Sequence, residues 1–261
     1  MDFLLKNNNT ITTVLSVVIN SFFIYLVMFK SRTGMGGYRE VLAATGFFEI
    51  FYSLLIIVSN QLLYISPDVY LVYMTPGAFF DNSFITIHIM AIKISCITLT
   101  YGILEVHFIY RYIAICKPHS MKNLSKTSWK IYLTIYIFFH GLIVYLVLSQ
   151  LLYCDEDTRT NFEADFLKKT GLRIYDRAMI CMTFTKGSDM VILRSYIADF
   201  LLFSISLYLT SVYFILGFLI VHYVISSPNR DSLANYFNDF LTHYFRRFST
   251  FCIKGSIKLI G

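Results

Sequence analysis

The stretch that most constrains this chain is residues 84–118, FITIHIMAIKISCITLTYGILEVHFIYRYIAICKP. It reads as one long apolar helix, interrupted by Lys93, Thr100, Glu105 and His107 and closed by Tyr110-Arg111-Tyr112 and Pro118. At about 100° per residue, Lys93, Thr100, His107 and Arg111 fall within roughly 40° of one another. At 1.5 Å rise the distance from Lys93 to Arg111 is about 27 Å, nearly the thickness of a bilayer's hydrocarbon core. A charge in hydrocarbon costs at least about 2.5–3.5 kcal/mol, so this stripe should face protein rather than lipid. The plainer reading is a snorkelling lysine and a hydrogen-bonded histidine on an ordinary span.

Composition excludes a soluble domain. Of 261 residues, 56% are hydrophobic and only 15% charged, too little charge to cover a water-facing surface. The apolar excess is gathered in runs near the length of a spanning helix, not in the alternating segments of about ten residues that a barrel needs. The expected fold is all-α, a polytopic membrane helix bundle. A net charge of +6 is scattered over several loops, so it reads as the basic inner side of a membrane protein and not as a nucleic-acid surface. The five cysteines form no CxxC pair and no zinc-type spacing, so no metal or cofactor is expected. Cys154 and Cys181 fall in one outer loop and could form a disulfide there, although their spacing alone is weak support for it.

Spans are expected at about 11–29, 40–65, 84–116, 131–153 and 196–226, within a transmembrane domain over 1–227. Lys30, Arg32 and Arg39 follow the first span and Lys117, Lys122, Lys126 and Lys130 follow the third, which puts the N-terminus outside and the C-terminus in the cytoplasm. Asn8, in the sequon Asn8-Asn9-Thr10, would then be glycosylated, while Asn123 would face the cytosol and stay bare. Glu49 lies about 14 Å inside the second span. Residues 66–83 and 154–190 read as outer loops. Residues 228–261 read as a cytoplasmic amphipathic tail: Leu233, Tyr236, Phe237, Phe240, Leu241 and Tyr244 recur at helical steps, with Arg246 and Arg247 suited to an anionic leaflet.

At 107–118, HFIYRYIAICKP resembles the inner end of the third helix of serpentine, G-protein-coupled receptors. It is most similar to the nematode chemoreceptors of the Str superfamily, in the str and srj families. GMGGYREVL at 34–42, EIFYS at 49–53 and Asn20 in VVINSFFIYLV are also family-like. The resemblance implies a seven-helix receptor that detects small-molecule odorants or tastants and signals to a heterotrimeric G protein from a ciliary plasma membrane. Arg111 would be the motif's arginine, with Tyr110, Tyr112, Pro118 and Glu49 belonging to the coupling switch. Tyr110 stands where rhodopsin-like receptors have an acid, so any latch on Arg111 must use another partner. Such receptors have seven spans; this chain reads as one truncated after helix five, open to retention in the endoplasmic reticulum or to pairing in a receptor oligomer.

Ligand would bind between the outer halves of the spans, with Lys93, Asp199 and Thr100 as polar contacts within an aromatic wall. Lys93 and Asp199 could equally pair with each other. Three other functions compete. A truncated, non-signalling fragment or partner subunit fits five spans. A transporter or channel subunit fits intramembrane Lys93, Glu49 and His107, but no inverted repeat or broken helix pair supports it. A membrane enzyme is disfavoured by the absence of HExxH, GxSxG or paired catalytic carboxylates.

Overall fold

The computed structural model describes residues 2–30, 37–59, 61–74, 83–124 and 126–226, leaving aside the side chains of 2–9 and 83. The tail at 228–261 lies outside the described residues, as does the side chain of Asn8. The helices are α1 (Asp2–Tyr25, continued by a wider turn at Leu26–Lys30), α2 (Tyr38–Val58), α3 (Ser83–Cys116), the short α4 (Met121–Leu124), α5 (Thr127–Leu146, widening over Val147–Leu151), α6 (Glu156–Thr170) and α7 (Asp189–Ser226). Among the described residues, five helices are long and apolar enough to cross a membrane: α1, α2, α3, α5 and α7.

Small residues set how closely the spans approach. A Cβ on Gly46 would sit 2.7 Å from Ile24 Cγ1, and one on Gly141 would sit 2.5 Å from Leu99 Cδ2, so α1–α2 and α3–α5 each pack through a glycine. A polar seam also ties α1 to α2. Ser16 and Ser53 share a hydroxyl contact of 2.7 Å, Thr13 Oγ1 donates to Ser53 O, and Asn20 Nδ2 donates to Ser16 O at 2.9 Å. Each polar group in lipid needs such a partner, because no water is available there.

The bundle is helical as expected, but the loops at one end are not loops. Strands β1 (Gln61–Ile65), β2 (Val69–Met74) and β3 (Met179–Thr183) form an antiparallel sheet in the order β1-β2-β3. The second span therefore stops at Val58 and not at residue 65. The apolar run QLLYI extends the span's hydrophobicity, but it alternates between a face that buries Tyr64 and a face that exposes Leu63 and Ile65, and apolar content alone does not separate strand from helix. Likewise α5 starts earlier than residue 131, and α7 begins at Asp189 and not at 196.

One face of the sheet packs on α6. Phe162 and Phe166 bury completely against Tyr64, Val69, Leu71, Tyr73 and Met179, with the Phe166 ring 5.1 Å from that of Tyr73. The other face belongs to the core of the bundle end: Val72, Ile180 and Met182 pack with Met90, Ala91, Val144 and Ala198 from α3, α5 and α7. A disulfide joins Cys154 to Cys181 and binds the start of this cap to β3. Helix α6 has ordinary end signals. Asp155 accepts from Thr158 N–H at 3.1 Å, and Gly171 takes φ 70° to close the last turn.

Candidate functional site

At the end of the bundle opposite the sheet, the last turns of α3 meet the first turns of α2 around one phenolic oxygen. Arg111 donates to Tyr38 Oη from Nε at 3.1 Å and from Nη2 at 2.9 Å. His107 Nδ1 lies 3.3 Å from the same oxygen, and His107 Nε2 lies 2.9 Å from Thr45 Oγ1. The proton positions follow from the outermost bond. Thr45 spends its hydroxyl proton on Val41 O at 2.8 Å, so toward His107 it can only accept. His107 is then the Nε2–H tautomer, its Nδ1 accepts, and Tyr38 donates to it. The Tyr38 oxygen thereby gives one bond and receives two, which exhausts its capacity. The Tyr110 ring packs 5.0 Å from the Tyr38 ring, and the Arg111 guanidinium carbon lies 5.8 Å from that ring's centre.

Arg111, whose neighbour is a tyrosine and not an acid, thus bonds to Tyr38 on α2. The other expected switch residues stand apart. Tyr112 receives Lys117 Nζ 5.7 Å from its ring centre, and Pro118 opens the tight turn Pro118–Ser120 that ends α3. Glu49 is half-buried on α2, about 16 Å by helix rise from Tyr38. Nearby, Lys130 and Glu40 form an ion pair that links the ends of α5 and α2.

The residues expected to bind ligand are not brought together. Lys93 Nζ donates to Ser59 O at 2.7 Å, pinning α3 to the end of α2. Asp199 is exposed on α7, and the ion pairs among the described residues do not include one between it and Lys93. Thr100 Oγ1 donates to Cys96 O one turn back, as helical threonines commonly do. An apolar cleft of about 250 Å³ opens between α3 and α5 around Ser95, Leu99, Gly141 and Tyr145, and Lys93, Thr100 and Asp199 do not line it.

A second polar chain crosses three spans. Tyr136 on α5 donates to Glu105 Oε2 at 2.8 Å, which commits its proton, so Tyr208 on α7 donates to Tyr136 at 2.8 Å. His140 stacks on Tyr208 with ring planes 4° apart and donates from Nδ1 to Tyr136 O. Glu105 is fully buried, and its Oε1 has no partner among the described residues. Glu105 is visible in the sequence as a polar break in α3. Tyr136 and Tyr208 are not, because tyrosine counts among the hydrophobic residues by composition and is one of many in these spans.

In the cap, Thr185 Oγ1 donates to Asp68 at 2.6 Å and Lys186 lies 3.0 Å from the same carboxylate. The Thr185 hydroxyl, then Lys186, hold Asp68 below the usual carboxylate range, and Asp68 in turn raises Lys186.

Spans joined by a capped end and carrying an arginine-centred polar cluster at the opposite mouth define an integral membrane protein of the serpentine receptor type. The description "Serpentine type 7TM GPCR chemoreceptor Srj" matches residues 1–237, and the chain belongs to that family. It is also 24% identical over 217 residues to Serpentine receptor class J-38 of Caenorhabditis elegans, covering 81% of this chain. The match spans 64% of that relative's length. The family is one of receptors and not of enzymes.

Proposed function

We propose that this chain is a chemosensory receptor for small organic molecules whose switch is the Tyr38–His107–Arg111 cluster. The observation that carries this reading is the saturated Tyr38 oxygen, which clamps α2 to α3 through Arg111 and His107. In the clamped packing the guanidinium is turned toward α2. A ligand that binds the alternative packing more tightly shifts the population toward released Arg111, which becomes available to a heterotrimeric G protein. The Glu105–Tyr136–Tyr208 chain ties α3, α5 and α7 in the same packing, so movement of α7 breaks it. Lys117, Lys122 and Lys126 at the cluster's end support a cytoplasmic placement for it and an outer placement for the sheet.

The test is nucleotide exchange on heterotrimeric G proteins by the chain in lipid vesicles. Arg111→Ala should abolish any exchange the unmodified chain supports; exchange that survives the substitution overturns the assignment of Arg111. A second reading, a partner subunit that does not signal, draws on the outer face of α7, where Phe200, Phe203, Phe214 and Phe218 are 69%, 63%, 75% and 68% exposed. Absence of exchange from every form of the chain favours that reading.

A further inference from the structure

Strand β1 is an edge strand whose outer side pairs with nothing among the described residues. Ser66 and Val69 exchange both backbone bonds, at 2.9 and 3.3 Å, across the Pro67-Asp68 turn. Bonded and non-bonded pairs alternate along an antiparallel ladder, so Leu62 and Tyr64 turn their N–H and C=O toward β2. Leu63 and Ile65 turn theirs outward, where no bond is made among the described residues. Edge strands are ordinarily guarded by lysine, proline or a bulge. QLLYI has no charge and no proline, and its register with β2 runs without a bulge. Leu63 and Ile65 are also 49% and 51% exposed, so the unguarded edge carries apolar side chains.

The placement of the sheet says what fits this edge. Strands β2 and β3 form the middle layer between α6 and the bundle end, with residues in each core, while β1 joins the α6 side through Leu62 and Tyr64. An axis normal to the sheet therefore runs roughly along the spans, which is the membrane normal. Antiparallel pairing of a strand with its own copy uses a two-fold axis of that direction, and this axis sets two copies side by side in one membrane with the same orientation.

We propose that β1 pairs antiparallel with β1 of a second copy, joining the two sheets into one across a homodimer. Leu63 of one copy exchanges both backbone bonds with Ile65 of the other, and Tyr64 lies at the axis. The strand itself carries no charge; Lys169 Nζ lies 5.1 Å from the Tyr64 ring centre, on the face that packs on α6 and not along the outer edge. Strand pairing buries far less than the roughly 1,200 Å² of a stable soluble interface, which argues against a peptide from solution. Two copies held in one bilayer in a fixed orientation meet at high effective concentration, so a small interface suffices. The inference goes beyond the receptor reading and does not depend on signalling.

The test is energy transfer between donor- and acceptor-labelled full chains in phosphatidylcholine vesicles, read against the protein-to-lipid ratio. Leu63→Pro removes an outward N–H that the sheet does not use, and Ile65→Lys places a charge on the edge. Each should raise the density for half-maximal transfer about tenfold. The Cys154–Cys181 bond, read by mobility without reductant, reports that the cap is intact. Unmodified chains that show no density-dependent transfer overturn the proposal. So does either variant transferring as the unmodified chain does with its cap intact.

Discussion

Replacing Tyr38 by Phe isolates the oxygen on which the cluster converges. The ring remains, so its packing against Tyr110 at 5.0 Å and its edge contact with His107 at 5.6 Å are kept. What is lost is the acceptor for Arg111 Nε and Nη2 and the donor to His107. A hydrogen bond to a charged group is worth about 1.5–3 kcal/mol. The two guanidinium bonds share one acceptor, the His107 contact is long at 3.3 Å, and Arg111 is only half-buried, so the sum lies toward the lower end. We expect a loss of about 2 kcal/mol from the clamped packing, or roughly a 30-fold shift toward release. Thermal unfolding in detergent should show this as a fall of about 4–8 °C. The sharper assay is a double-mutant cycle with Arg111→Ala, where a coupling of about 1.5 kcal/mol or more is expected. Additive single and double variants would refute the reasoning, because they would show that the Tyr38 oxygen and the guanidinium do not share an interaction.

Two further outcomes concern the cap. Phe166→Ala empties a fully buried site between α6 and the sheet and should cost about 3–5 kcal/mol, read as faster hydrogen exchange in β1, β2 and α6 with the spans unchanged. Asp68 has a folded-state pKa below its ordinary 3.8, so its contribution is fully present above that value and is lost as pH falls through the depressed one. Asp68→Asn should therefore lower cap stability near neutral pH and flatten its decline below about pH 4; an unchanged acid limb would refute the role of the Thr185–Asp68–Lys186 contact.

The spans were legible because hydropathy responds to length and apolar content, and the helices from Ser83 to Cys116 and from Asp189 to Ser226 have both. The cap was not. Its strands continue the apolarity of the second span, and α6 is a polar helix whose signals are local: Asp155 before its first turn, Lys168 and Lys169 in its last, and Gly171 beyond it. Those signals are present in the sequence and mark a helix once looked for. The Arg111 motif was legible, but its partner was not. Tyr38 stands in the quoted GMGGYREVL stretch, yet only the packing of α2 on α3 brings it to the guanidinium. Lys93 and Asp199 both stand out by depth in the bilayer, and the fold places them apart, Lys93 on Ser59 O at the end of α2 and Asp199 exposed on α7.

The sheet draws β1 and β2 from the connection between α2 and α3, and β3 from the connection between α5 and α7. The disulfide and a bond from Thr183 N–H to Ser195 Oγ at 3.1 Å fasten it to the ends of α5 and α7. The consequence is mechanical: four spans are yoked at one end by a sheet and a disulfide, while at their other ends α2 is tied to α3 and α5 through side chains, Tyr38 to Arg111 and Glu40 to Lys130. From Ser195, where the sheet grips it, to Ser226 helix α7 runs about 46 Å, so a tilt of about 5° about the yoke moves its far end by about 4 Å. A small disturbance at the capped end is thereby geared into a displacement the size of a side chain at the mouth where Arg111 sits.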